Sequence, residues 1–526
     1  MIGTGSRGWL SSIVGLLGAV AAVFALWQLE AGRAGLVFED RVIGATPVRL
    51  IRTAAPPGPA PAVVVAHGFA GAKELMEPFA VSLARAGYVT LSFDFEGHGS
   101  HPEALPSRIL GPGGAATRLI DQLGAMVEAA RELPGTTGEV ALLGHSMATD
   151  LIAKAVRDGL DVEATVAVSL FSPDVTATSP RNMLIIVGGY EQRLTEEALR
   201  VTTLTAGETA VEDVTYGSFD EGTARRAVFA DGVEHVGVLF DPEGLRAAPA
   251  WLDRVFGRAG AEAAVPDARG PSIALLFVGL MALGWGLARF LPARAVPGAP
   301  VEGAGARPLV LLVLAALPML LAPALAVLSP SGYMPLILGD YLAVHFLCYG
   351  LLTAAGLAAA ARRGAITLPA AIWPGGRRVS AGLISGLFII ATFALTLDRY
   401  AFAFLPGPDR LLLIPILAAA LLPWFLADEW LTRGVPAGRE GRGRRLWAYA
   451  LTKLCFVLSL GIAVALDTER LFFLLIVAPV ILLFFAIYGF VSQRLVAVTG
   501  SPVPPALALS LALAWSIAAS FPRLAG

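Results

Sequence analysis

A serine hydroxyl is a weak nucleophile until a neighbouring base takes its proton, and this chain holds one serine in a setting built for such use. Ser146 stands in Gly144-His145-Ser146-Met147-Ala148, after the apolar run Val140 to Leu143 and before a helical pattern that begins at Thr149. A strand that turns sharply at a serine and feeds a helix lifts Oγ above a sheet and aims the helix N-terminus at it. Small residues are needed two before and two after, because the turn presses their backbones against neighbouring elements. Glycine and alanine stand there, the alanine adding one methyl to the Gly-x-Ser-x-Gly pattern. The motif alone is modest, since Gly-x-Ser-x-small also arises by chance.

The elements that would position Ser146 lie in a stretch of soluble composition, about residues 35 to 258. Strands are expected at Ala62 to Ala66, Val89 to Phe93, Val140 to Leu143, Thr165 to Leu170 and Met183 to Val187, with helical patterns between several of them. Their β-branched, continuous apolar character fits parallel strands covered on both faces. The proline-rich run Ala54 to Pro61 reads as a turn entering the first of these strands.

The rest of the chain is different. Over 526 residues, 56% are hydrophobic and 15% charged, too apolar for soluble units throughout. A charge-free run from Trp9 to Leu29 is long enough to cross about 30 Å of hydrocarbon. A cleaved signal peptide is the other reading, and either version exports the soluble stretch beyond it. Eight further spans are expected near residues 271 to 288, 308 to 328, 334 to 360, 379 to 397, 410 to 427, 446 to 465, 470 to 490 and 504 to 521. This divides the chain into 1–34 (tail and first span), 35–258 (the α/β domain) and 259–526 (the membrane domain). Loops carrying Arg289, Arg294 and Arg307, then Arg362, Arg363, Arg377 and Arg378, then Arg433, Arg439, Arg442, Arg444 and Arg445, and last Arg494, alternate with neutral or balanced ones. Positive residues stay inside, so the N-terminus is expected in the cytoplasm, with the large domain and the C-terminus outside a cell membrane crossed nine times.

Three motifs at strand ends now carry a resemblance. His67-Gly68-Phe69 follows the Ala62 to Ala66 strand, Asp94-Phe-Glu-Gly97-His98-Gly99 the Val89 to Phe93 strand and Gly144 to Ala148 the Val140 to Leu143 strand. Over roughly residues 45 to 256 the chain resembles the α/β-hydrolase superfamily, particularly its dienelactone-hydrolase-like and serine-aminopeptidase-like groups. The resemblance implies a mostly parallel sheet with helices on both faces, fused here to an all-α polytopic bundle. It implies that the backbone N–H groups of Phe69 and Met147 form an oxyanion hole, although Phe69 is also readable as a plain core residue. It further implies a triad in the order nucleophile, acid, histidine. Glu191, in Gly188-Gly-Tyr-Glu191 after the Met183 run, holds the usual place of the acid. Asp174 is the reserve, with Asp213 and Asp220 behind it, and an exposed loop acid is the plain reading of Glu191. His235 holds the place of the base. Elimination agrees, because His67, His98 and His145 belong to turn motifs, His101 to a neighbouring loop and His345 to an apolar span.

No cofactor or metal is called for, since no His-Glu-x-x-His or comparable spacing occurs and Gly97-His98-Gly99 is no dinucleotide fingerprint. Cys348 and Cys455 lie far apart in apolar runs, and no basic field for nucleic acid is visible. The pocket is expected to be open, or roofed by the loop near Ser100 to Leu110 or by the membrane domain. Within the spans, Asp340 and His345 call for a polar interior, mutual pairing or an interfacial place, while Asp428, Glu429 and Trp430 read as interfacial anchors. The leading expectation is a membrane serine hydrolase acting on a small or lipid-like ester, thioester or amide. Acyl transfer to a membrane or envelope acceptor is a second, and a transport or sensory protein with an idle hydrolase-like domain a third.

Overall fold

The computed structural model describes residues 4–106, 113–259, 264–295, 302–368, 375–433 and 439–525. Helix α1 (Thr4–Ala31) leads into eight strands: β1 Leu36–Ile43, β2 Thr46–Thr53, β3 Ala60–Ala66, β4 Val89–Phe93, β5 Thr136–His145, β6 Ala164–Val168, β7 Met183–Gly188 and β8 Arg225–Ala230. They form one sheet in the order β1-β2-β4-β3-β5-β6-β7-β8. The β1–β2 and β2–β4 pairs are antiparallel and every other pair is parallel.

The central parallel strands β3, β6 and β7 are almost wholly apolar because both faces are covered. Side chains alternate along a strand, so Val63 and Val65 of β3 pack with α2 (Glu77–Arg85) and α6 (Pro242–Phe256), through residues such as Phe79 and Leu252. Ala62, Val64 and Ala66 pack on the other face with α3 (Ala115–Arg131) and α4 (Met147–Arg157), through Leu123 and Ile152. Helix α5 (Gln192–Ala206) covers β7 with Ala198 and Val201. Each buried valine, leucine or isoleucine among them contributes about 1.5–3 kcal/mol of transfer free energy.

The strands differ from the expectation in that β8 was not among those expected, β5 starts earlier, at Thr136, and three further details depart. The β1–β2 hairpin was not among the expected strands, because Glu39, Asp40, Arg49 and Arg52 interrupt any apolar run; they pair across the hairpin instead, Arg49 to Asp40 at 2.7 Å and Arg52 to Glu39 at 3.0 Å. Strand β3 starts at Ala60, with Pro61 absorbed where the register against β5 shifts between Ala60 and Ala62. Strand β6 stops at Val168, since Ser169 turns the chain at a φ of 55°.

The remaining helices are α7 Gly270–Leu287, α8 Pro308–Val327, α9 Gly339–Arg362, α10 Gly376–Tyr400, α11 Leu413–Thr432, α12 Arg439–Leu466, the short α13 Thr468–Leu471, α14 Leu474–Thr499 and α15 Val503–Ser520. Among the described residues nine helices, α1 included, are long and apolar enough to cross a membrane. Helices α1 and α7 approach backbone to backbone: a Cβ on Gly18 would fall 2.6 Å from the Gly279 carbonyl oxygen, so glycine is required there.

Several ionisable groups sit elsewhere than expected. Arg494 belongs to α14 rather than to a loop, its guanidinium 3.9 Å from the Trp285 ring centroid and donating to Ser11, which lets the helix continue to Thr499. Asp428 and Glu429 are buried among the helices and paired: Lys453 donates to Asp428, while Arg433 donates to Glu429 at 2.9 Å and Ser492 does so at 2.6 Å. Trp430 is half-buried and donates to the Thr367 carbonyl. Asp340 and His345 do not pair with each other. Asp340 accepts from the Gly332 amide, and His345 meets the Tyr341 hydroxyl at 2.8 Å and Ser459 at 3.2 Å.

The sheet is held to the bundle by charge and by chain. Glu77 on α2 receives Arg33, Arg49 and Arg269 at 3.2, 3.3 and 3.4 Å, gathering the ends of α1, β2 and the segment before α7. Arg410, between α10 and α11, donates to the carbonyls of Ala518, Phe521 and Gly97. The C-terminal tail then runs beside residue 105, the Leu105 amide donating to Arg523 and the Ala525 amide to Leu105.

Candidate active site

Strand β5 ends in the turn that its composition requires. Ser146 adopts φ 52° and ψ −115°, a strained conformation for a residue with a side chain, and α4 begins at the next residue. Space around it is tight. Gly144 pairs with Ala66 and Ala167, small residues on both neighbouring strands, and Ala148 is fully buried beside it, so the extra methyl is accommodated. Gly68 admits no side chain either, since a Cβ would lie 2.9 Å from His145 Nδ1 and 3.1 Å from Ser146 Cβ.

His235 arrives on the turn after β8 and Glu191 on the turn after β7. His235 Nε2 is 2.9 Å from Ser146 Oγ, and its Nδ1 is hydrogen-bonded to Glu191 Oε1. With a carboxylate facing Nδ1 the proton belongs on that nitrogen, so Nε2 is assigned as the acceptor of the serine hydroxyl. The second carboxylate oxygen of Glu191 accepts from Ser169 Oγ at 2.7 Å and from the Gly188 amide at 2.9 Å. The Glu191 side chain is 7% exposed and that of His235 31%, so the acid is sealed while the imidazole stays within reach of solvent.

The other acids lie elsewhere. Asp174 accepts from Arg157 at 2.7 Å, Asp213 from Arg226 at 2.9 Å, and Asp220 is exposed. Met147 opens α4, so its N–H has no carbonyl four residues back within the helix, and Phe69 follows Gly68 in the turn after β3. Neither amide donates to another described residue. Burial pushes the imidazole of His145 down to about 3, reinforced by the adjacent His235, and pushes that of His98 down to about 3 and that of His67 downward. These three are neutral at pH 7 and serve as hydrogen-bonding groups.

Three contributors were not singled out in the sequence. Ser169 and the Gly188 amide orient Glu191, and the only linear signal for either is its position at a strand end. His145 is the third: its Nε2 is 3.0 Å from the His235 carbonyl oxygen, to which it donates. The membrane domain, one of the expected covers, meets the turn after β3. The loop expected to cover the pocket is described only as far as residue 106, residues 107–110 lying outside the described residues, and the Phe69 ring stacks on Phe473 at the start of α14, centroids 4.0 Å apart.

Residues 57–199 match the family described as serine aminopeptidase, S33. Among solved structures, dienelactone hydrolase from Anabaena variabilis is 19% identical, with 42% of this chain and 97% of that one covered and a TM-score of 0.28. A membrane phospholipase A described as a bacterial virulence factor is 14% identical, with 48% and 97% covered and a TM-score of 0.31. No curated protein matches the chain. From the family match, the strand order and the turn at Ser146, the chain carries a domain of the α/β-hydrolase superfamily, fused to a helical region with many helices of membrane-spanning length.

Proposed function

We propose that this protein is a membrane serine hydrolase that cleaves an ester, thioester or amide through an acyl-enzyme. His235 Nε2 takes the proton of Ser146 as Oγ attacks the substrate carbonyl. The oxygen that becomes negative accepts hydrogen bonds from the Phe69 and Met147 amides, each such donor contributing about 3 kcal/mol to the transition state. Glu191 holds the ring in the required tautomer and stabilises the imidazolium that forms. The leaving group departs with the proton from His235. Water, deprotonated by the same nitrogen, then attacks the acyl-enzyme and releases the acid. By the positive-inside rule the domain works outside the cytoplasm, with the N-terminus inside and the C-terminus outside.

The observation that supports this reading best is the continuous line from Ser146 Oγ through His235 to Glu191, with 2.9 Å between Oγ and Nε2. A fluorophosphonate probe tests it. The folded protein is expected to be labelled at Ser146, and Ser146→Ala to lose both labelling and turnover, by about a millionfold in kcat if the triad acts as a unit. Unlabelled folded protein, or turnover that survives in Ser146→Ala, removes the proposal.

A further inference from the structure

The edge of the sheet that carries Ser146 is divided. Strand β5 lies between β3 and β6, and the two sides differ in what covers them. On the β3–β4 side the turns are held by the bundle. Phe69 stacks on Phe473, and Gly97 O accepts from Arg410 Nη2 at 2.9 Å and from the Arg523 amide at 2.8 Å. Ile337 and Leu524 pack against the same apolar layer as Val64 and Leu91. On the β6–β8 side the turns are open and carry large apolar side chains into solvent, Phe171 at 67% exposure, Tyr190 at 73% and Val236 at 39%. Ser146 is half-buried on the line between the two.

The level of this boundary is set by α14. Its 26 residues span about 39 Å, more than about 30 Å of hydrocarbon. A charge-free apolar run from Leu471 to Val491 follows Arg470 and spans about 30 Å as helix. Phe473, stacked on Phe69, therefore stands at the end of this run, where headgroups meet hydrocarbon and the ester of a bilayer lipid lies, and the exposed Phe472 beside it continues the apolar surface toward the hydrocarbon.

We infer that the membrane bundle supplies one wall of the substrate site, with Phe473 a specificity-determining residue that holds a long acyl chain, and that the substrate is a long-chain acyl ester drawn from the bilayer. This rests on the hydrolase reading above and names its substrate class. The chemistry is unchanged: the Oγ–acyl bond forms, the ester C–O bond breaks, the leaving alcohol takes the proton from His235, and water releases the fatty acid. A water-soluble acyl thioester shares the acyl chain but not the route. The covered β3–β4 side, continuous with the bundle, favours the bilayer as the source.

The full chain is tested in phosphatidylcholine proteoliposomes with p-nitrophenyl acetate and p-nitrophenyl palmitate. Phe473→Ala is expected to lower kcat/KM for the palmitate about tenfold, mainly through KM, and to leave the acetate within about twofold. Phe473→Leu keeps the start of α14 packed and is expected to lose about threefold on the palmitate alone. Dipalmitoylglycerol in the vesicle should be hydrolysed in preference to palmitoyl-coenzyme A added to the water. Equal losses on both p-nitrophenyl esters, no loss on either, or preference for the soluble thioester overturns the inference. Fluorophosphonate labelling separates the two levels. Labelled Ser146 with a rate indifferent to chain length overturns this inference alone, whereas unlabelled Ser146 without turnover overturns the hydrolase reading and this one with it.

Discussion

Lys453 in the bundle donates to Asp428 and lies over the rings of Tyr449 and Trp424, and Glu429 is matched by both Arg433 and Ser492. At the sheet edge, by contrast, the amides of Phe69 and Met147 have no partner among the described residues, and His235 is partly open to solvent. Both regions bury charge, but the groups around Lys453 and Glu429 complete their pairs while the sheet edge leaves two amide donors without a partner among the described residues. A main-chain donor stays without a protein partner only where surrounding structure holds it. Here the strained turn at Ser146 and the side-chain-free Gly68 do so. The contrast separates groups arranged to meet a further molecule from groups that hold helices together.

The largest expected effect within this comparison concerns the acid. Glu191→Gln preserves shape but removes the charge that fixes the His235 tautomer, and kcat should fall about a thousandfold or more. Asp174→Asn, which touches only the Arg157 pair, should leave kcat unchanged. If the two variants behave alike, Glu191 is no part of the working line.

The bundle should respond in stability rather than in rate. Lys453→Met strands the Asp428 carboxylate among aromatic rings and should cost about 3–5 kcal/mol, seen as a lowered unfolding midpoint of the full chain in detergent. Adding Asp428→Leu should recover most of that loss, because replacing both partners by apolar groups removes the uncompensated charge. A single variant as stable as the parent would mean that the pair is solvated, and would move Lys453 and Asp428 into the class of the sheet-edge groups.

Legibility in the sequence depended on how local each signal was. The turn at Ser146 was readable because strand, small residues and helix adjoin, and His235 because few histidines were left to choose from. Glu191 stood among several acids, and only the packing of β6, β7 and β8 turns brings it to His235 while Asp174 faces Arg157. The spans were readable from hydropathy alone, but the end of α14 was not, because Arg494 looks like a loop residue until Trp285 is seen beneath it. Phe473 could not have been assigned to the site, since nothing local joins residue 69 to residue 473. The long-range partners of the membrane acids were hidden for the same reason.

The smallest expected effect bears on two buried histidines that look alike in composition. His345 in the bundle has both ring nitrogens engaged, by Tyr341 and Ser459. His145 has one engaged, Nε2 with the His235 carbonyl, while its buried Nδ1 has no partner beside Gly68. Since burial keeps His145 neutral at any pH well above about 3, its Nε2–H stays available to hold the backbone of His235. His145→Phe keeps a ring of similar size and removes that donor. One neutral hydrogen bond contributes about 0.5–1.5 kcal/mol, so kcat should fall by about tenfold or less with KM little changed. The loss should appear on acetate and palmitate esters equally, because the backbone of residue 235 is common to both reactions. A loss confined to the long ester would instead tie His145 to the acyl wall, and an unchanged kcat would show that the turn after β8 holds His235 without help.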